Sequence, residues 1–167
     1  MGDTMRYSGI IRNDLAAAPG VSVTFFTQGC PHKCEGCHNP ETWDFNGGKE
    51  FTAETLKEIY EALGANSINR NFCIMGGEPL CEENEFLVHM LLLNVKERFP
   101  NIKTYIWTGY YYEDLKNRTT SKIEKILELT DVLIDGPYIH KLRDTTLPMR
   151  GSSNQSIIYL KGDNNGQ

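Results

Sequence analysis

Val21-Ser22-Val23-Thr24-Phe25-Phe26-Thr27-Gln28-Gly29-Cys30-Pro31-His32-Lys33-Cys34-Glu35-Gly36-Cys37-His38-Asn39-Pro40 is the stretch on which the reading of this chain turns. Its first seven residues are a β-branched and aromatic run of the kind that builds a strand. Directly behind it, three thiols fall at C-x3-C-x2-C spacing. A loop that crowds three sulfurs in this way can wrap one compact centre, a crowding that neither a core nor a disulfide scaffold requires. Soft thiolates at close spacing select zinc or an iron–sulfur cluster. A cubane cluster has four irons, so three cysteines leave one iron without a protein ligand. An open coordination position marks a catalytic metal site, whereas a closed one marks a structural site.

Working outward, the 167 residues suffice for one domain with a real core, and 1–167 is read as a single unit. Hydrophobic content of 40% and charged content of 23% are those of an ordinary globular protein. A formal charge of −5 with no basic stripe argues against nucleic-acid binding. No apolar segment follows Met1-Gly2-Asp3-Thr4-Met5-Arg6, so no signal peptide is expected, and Arg6 stands where a myristoylation signal needs Ser or Thr. The run Met90-Leu91-Leu92-Leu93 is far too short to span a bilayer, and the expected location is the cytoplasm. Five cysteines in a reducing compartment point to metal or catalysis before disulfides, with Cys73 and Cys81 read as packing thiols.

Residues 1–20 carry turn signals at Asn13-Asp14 and Pro19-Gly20 and are read as a lead-in before a strand over residues 21–27. Thr52 is a candidate N-cap for a helix with Leu56, Ile59, Tyr60 and Leu63 on one face. Residues 71–75 read as a short buried strand ending in Gly76-Gly77-Glu78-Pro79. A second helix carrying Phe86, Leu87, Met90 and Leu91 should stop near Phe99-Pro100. The pattern repeats with a strand over 102–108. A helix follows, with Ser121-x-x-Glu124 as capping box and Ile123, Ile126 and Leu127 on one face. Further strands are expected over 131–135 and 156–160, and residues 161–167 are expected to fray. Alternating strands and helices argue for βαβ units and a parallel sheet. A closed eight-stranded barrel needs roughly 250 residues, so the expected fold is a partial, open parallel α/β barrel of five to six strands. Residues 30–37, 76–78, Thr108-Gly109 and Asp135-Gly136 each follow a strand, and parallel sheets gather such segments on one ligand-binding face.

The thiol loop admits other readings. Structural zinc would need a fourth ligand, with His32 or His38 available. Cys34-Glu35-Gly36-Cys37-His38 matches the C-x-x-C-H pattern of c-type haem attachment, but that needs export and leaves Cys30 without a role. A thioredoxin-like dithiol meets the same objection. A non-catalytic iron–sulfur or zinc module that docks a partner stays open beside an enzyme. The Gly76-Gly77-Glu78-Pro79 turn favours the enzyme, since glycines allow close approach to a ligand and a module needs no cofactor cradle.

The cysteine spacing and the downstream Gly-Gly-Glu-Pro turn resemble the radical S-adenosylmethionine enzymes. Within them, most of the chain is similar to the glycyl-radical activases that serve anaerobic ribonucleoside-triphosphate reductase. The resemblance rests on residues 30–40 with Thr42-Trp43, Gly76-Gly77-Glu78-Pro79-Leu80, Trp107-Thr108-Gly109-Tyr110, Asp135-Gly136-Pro137-Tyr138 and Arg150-Gly151-Ser152-Ser153-Asn154-Gln155. Gly36 stands where the wider superfamily often has an aromatic residue, and His38 where these activases usually have Tyr. The resemblance implies a radical S-adenosylmethionine type of barrel. It implies Cys30, Cys34 and Cys37 as catalytic ligands of a [4Fe-4S] cluster whose open iron chelates S-adenosylmethionine. Gly36, Cys37, His38 and Asn39 would lie along that cofactor, with Gly76, Gly77 and Glu78 at its methionine end. Reductive cleavage would yield methionine and a 5′-deoxyadenosyl radical that takes hydrogen from a glycine of the reductase. A low-potential electron donor such as flavodoxin or ferredoxin is implied as a second partner. Trp107, Tyr110, Tyr111, Tyr112 and Arg150 are candidates to line the route of the partner glycine, and an activase of another glycyl-radical enzyme is the alternative within the class.

Overall fold

The computed structural model describes residues 4–118 and 122–161. The chain runs through β1 (Arg6–Asp14), β2 (Val21–Thr27), β3 (Lys49–Glu50), α1 (Ala53–Gly64), β4 (Arg70–Gly76), α2 (Glu82–Arg98), β5 (Thr104–Trp107), α3 (Tyr112–Leu115), α4 (Ile123–Glu128), β6 (Val132–Asp135) and β7 (Ser156–Tyr159). One open sheet collects all seven strands in the order β3-β1-β2-β4-β5-β6-β7.

β2, β4, β5 and β6 are mutually parallel, whereas β1, β3 and β7 run antiparallel to their neighbours. The sheet is therefore mixed and seven-stranded, a correction to the expectation of five or six parallel strands. The reason lies in the connections. A parallel neighbour needs a crossover of a dozen or more residues, and residues 15–20 are too few for one, so β1 and β2 close as a hairpin. Nine residues of the lead-in segment, Arg6–Asp14, are thus strand.

α1 starts as expected at Thr52, whose side chain pairs with that of Thr55 while the Thr55 hydroxyl accepts the Thr52 N–H. α2 ends before Phe99-Pro100, with Glu82, Glu83 and Glu85 in its first turn and Lys96 and Arg98 in its last, each sign matching the helix dipole. Ser121, expected as a cap, lies outside the described residues, as do residues 162–167 of the expected frayed end.

The period-2 alternation of the central strands sorts their side chains. Phe72, Ile74, Ile106 and Leu133 face a core shared with Ile59 of α1, Leu91 and Val95 of α2 and Ile126 of α4. Cys73, Tyr105, Val132 and Ile134 face the other way, covered by Ala17 and Ala18 of the β1–β2 loop rather than by a helix. The helices thus pack on one face, and the other face is left to loops. At its carboxyl end that second face opens into a cavity.

Candidate functional site

β2 delivers the chain into the cysteine loop, and backbone bonds close the neck of that loop. The Gly29 N–H donates to the Thr42 carbonyl at 2.6 Å and the Cys30 N–H to the Trp43 carbonyl at 3.2 Å. Gln28, buried beneath, donates through Nε2 to the carbonyls of Glu41 and Asp44. Gly29 has φ +101°, a conformation suited to glycine, and Phe45 lies where a side chain would stand.

The loop places Cys30, Cys34 and Cys37 in the wall of one cavity of about 660 Å³. Cys30 is buried, Cys34 and Cys37 are half-buried, and none of the three is in a disulfide. Burial pushes the Cys30 thiol up, countered by backbone N–H groups of His32 and Lys33, with Glu78 and Cys34 adding to the rise. Cys34 is likewise raised by burial, countered by the Tyr138 N–H, with Cys37 and Glu78 adding to the rise. The Cys37 sulfur receives the Asn39 N–H at 3.4 Å. A backbone hydrogen bond to sulfur of this kind is one of the features that tune a cluster. Among the described residues, no three Cys, His, Asp or Glu side chains converge on one point as the ligands of a single ion would. Three thiols in one cavity wall are the soft donor type that zinc and iron–sulfur clusters take.

Gly76, Gly77 and Glu78 of the Gly-Gly-Glu-Pro turn line the same cavity. The turn's glycines are required by the end of β2 and the neck of the cysteine loop. A Cβ on Gly77 would lie 2.3 Å from the Gly29 carbonyl oxygen, and one on Gly76 would lie 2.4 Å from the Thr27 nitrogen. The Gly77 and Glu78 N–H groups donate to the Thr27 and Gly29 carbonyls at 3.0 and 2.8 Å. Asn84, buried in the first turn of α2, donates to the carbonyls of Glu78 at 2.9 Å and Gln28 at 3.1 Å. The turn and the loop are one stitched unit.

The carboxyl ends of β5 and β6 complete the cavity with Trp107, Thr108, Gly109 and Gly136, so the expected convergence of strand ends is borne out. Asp135 stays out of it: its carboxylate accepts the N–H groups of Tyr112 and Ser156. The loop between β6 and β7 folds over the cysteines. Tyr138 lies in the cavity wall, its ring 5.7 Å from that of His38 and its hydroxyl 3.1 Å from His140 Nδ1. The Gln155 side-chain oxygen accepts the N–H groups of Gly151 and Ser152, which sets the backbone beside Arg150.

Of the residues singled out in the sequence, Cys30, Cys34, Cys37, His38, Asn39, Gly76, Gly77 and Glu78 line this single cavity, as do Trp107 and Arg150. Gly36 does not; it packs under His140, whose Nδ1 would lie 2.7 Å from a Cβ there. Tyr110, Tyr111 and Tyr112 also lie outside the lining, Tyr110 against His32 and Tyr111 against Gly136. Sequence reading missed Asn84, Gln28 and the part played by His32. A polar residue in a first helical turn passes for a cap, so no local signal marked Asn84.

Comparison with known proteins adds the following. A sequence model of a family described as a 4Fe-4S single cluster domain matches residues 16–158. A protein of Enterobacteria phage T4 is 39% identical over 153 residues, covering 92% of this chain and 93% of its own length. Proteins of Salmonella typhimurium and Escherichia coli are 34% and 32% identical over 158 residues, each covering 94% of this chain and 100% of the relative. All three relatives are named anaerobic ribonucleoside-triphosphate reductase-activating protein.

Proposed function

The chain belongs to the anaerobic ribonucleoside-triphosphate reductase-activating proteins, within a 4Fe-4S single cluster family, and from that premise we propose that it activates such a reductase by reductive cleavage of S-adenosylmethionine. The observation that carries the proposal is the shared cavity. Three thiols and a glycine turn line one space of about 660 Å³. That volume is within the roughly 300–1,000 Å³ of small-molecule sites.

In this reading Cys30, Cys34 and Cys37 hold three corners of a [4Fe-4S] cluster. When bound, the cluster would supply a low-potential electron to the sulfonium, giving methionine and a 5′-deoxyadenosyl radical that takes hydrogen from a glycine Cα of the reductase. The protein's own work is positioning and exclusion of water. The backbone of Gly76, Gly77 and Glu78 would stand at the methionine end. Cys37, His38 and Asn39 would run along the nucleotide, with Gly36 supporting that segment from behind. Met75, Trp107 and Met149 form apolar wall beneath them. Arg150 lies at the lining too, and would meet the partner's polypeptide.

One-sided helices and a sheet face left open support a partial barrel of the radical S-adenosylmethionine type, with residues 1–167 acting as a single domain. Among the described residues no helix is long and apolar enough to cross a membrane. A reducing cytoplasm, with flavodoxin or ferredoxin as electron donor, suits five unpaired thiols. Neither nucleic acid nor membrane is among the proposed partners.

The test is anaerobic reconstitution, reduction, and addition of S-adenosylmethionine with the reductase. A glycyl radical signal on the reductase and stoichiometric 5′-deoxyadenosine are expected. Deoxyadenosine without that radical would redirect the activity to another glycyl-radical enzyme, and its absence would reduce the chain to a binding module.

A further inference from the structure

Glu78 lines the cavity, yet its carboxylate has nothing left to offer a ligand. It is 1% exposed. Oε2 accepts the Leu80 N–H at 2.9 Å and the Thr108 hydroxyl at 2.6 Å. Oε1 accepts the Gly109 N–H at 2.7 Å and meets His32 Nε2 at 2.8 Å. Two donors on each oxygen fill the acceptor capacity of a carboxylate. Leu80 belongs to the same turn, and Thr108 and Gly109 to the end of β5. His32 is the one of the four donors that comes from the cysteine loop.

His32 is also held on its other sides. Its ring rests on Gly109, where a Cβ would come within 2.6 Å of Cδ2, and sits edge-on to Tyr110 at 4.6 Å. The Arg118 guanidinium covers Tyr110 at 4.4 Å and donates to the Leu80 carbonyl at 2.8 Å. His32 itself lies in the cysteine loop, two positions after Cys30. Its ring therefore ties the cysteine loop to the Gly76–Glu78 turn.

We propose that His32 is a positioning residue that acts through Glu78 to fix the distance between the thiol wall and the glycine turn. This inference rests on the function proposed above, in which those two walls hold the cluster and the methionine end of S-adenosylmethionine. A carboxylate only accepts, so Nε2 carries the proton in this bond. Without that donor, a buried carboxylate oxygen loses a partner and the cysteine loop loses its side-chain tie to the Gly76–Glu78 turn. The three cysteines remain, so cluster assembly survives while cofactor alignment does not. Misplacement of reacting groups by about 1 Å costs on the order of 100-fold in rate.

The experiment compares the full chain with His32→Phe, which keeps an aromatic ring without a donor, and His32→Gln, which restores an N–H donor. Thr108→Val removes a different donor from the same carboxylate. Each is reconstituted anaerobically and measured for iron per chain and for the spectrum of the reduced cluster with S-adenosylmethionine. Release of deoxyadenosine, followed against S-adenosylmethionine concentration, then separates kcat from KM. His32→Phe should hold wild-type iron but show an altered cofactor-induced spectrum and a 10- to 100-fold lower kcat/KM, as loss of a charged buried hydrogen bond implies. His32→Gln should recover most of it. If His32→Phe does not fold, Thr108→Val should show the same spectral change to a smaller degree. Wild-type kinetics in His32→Phe, a His32→Gln variant no better than Phe, or an unaltered spectrum in Thr108→Val would each overturn the inference. Failure of the wild-type chain to cleave S-adenosylmethionine would instead refute the underlying function.

Discussion

Replacing Gly77 with alanine tests how tightly the glycine turn and the cysteine loop are joined. The added Cβ would lie 2.3 Å from the Gly29 carbonyl oxygen, 2.8 Å from the Gly29 carbon and 2.9 Å from the Thr42 carbonyl oxygen. All three are backbone atoms, so no side chain can rotate away. Ordinary contact begins near 3.5 Å, so the two walls must part by about 1 Å. Overpacking of this kind costs about 1–3 kcal/mol. The bonds from the Gly77 N–H to Thr27 and from the Glu78 N–H to Gly29 stretch with it, at about 1 kcal/mol each. The sum, about 3–5 kcal/mol, is a large share of the 5–15 kcal/mol that holds a typical domain together. At about 2–4 °C per kcal/mol for a chain of this size, the melting temperature should fall by about 6–20 °C. Anaerobic thermal unfolding followed by circular dichroism measures it, with iron per chain determined on the same samples. Gly9→Ala is the control: nothing lies within 4 Å of its Cβ position, and its melting should stay at the wild-type value. A Gly77→Ala protein with wild-type melting and full iron content would refute the stitched-unit account.

Asn84→Ala removes the donor shared by the Gln28 and Glu78 carbonyls and should cost about 1–3 kcal/mol, read as a lowered urea midpoint. Serine at Cys30, Cys34 or Cys37 should each reduce bound iron and sulfide sharply after reconstitution, whereas serine at Cys73 or Cys81 should leave the iron count intact. Burial pushes the Cys73 and Cys81 thiols up to about 12, so in the folded protein both stay protonated near pH 9 and resist alkylation until denatured. The sign follows for stability: the unfolded chain releases these protons first, so stability should decline as pH rises from about 9 towards 12, seen in denaturant midpoints across that range.

The central architecture was legible because its signals are local. β2, β4, β5 and β6 are short apolar runs closed by glycine or polar turns, and the cysteine spacing identifies its own loop. β1 was harder, since its outer half carries Arg12, Asn13 and Asp14 in partly or fully exposed positions and loses the alternation of a buried strand. β3 spans two residues and α3 four, too few for any period to register. In the site, the thiols and the glycine turn announced themselves through residue type. The reason for the glycines did not: they accommodate a neighbouring loop that sequence order places far away. Glu78 reads in sequence as a cofactor contact, and nothing in the sequence signals that its side chain bonds Leu80, Thr108, Gly109 and His32. Such assignments depend on which strand ends meet, a property that no single segment encodes.

The electron paramagnetic resonance spectrum of the dithionite-reduced, reconstituted protein, recorded before and after S-adenosylmethionine, tests most directly whether three cysteines leave an iron open for that nucleotide. A cluster signal whose shape changes on addition, with about four irons per chain, is the predicted result. A signal that the nucleotide leaves unchanged, or a chain that binds no cluster through Cys30, Cys34 and Cys37, would contradict it.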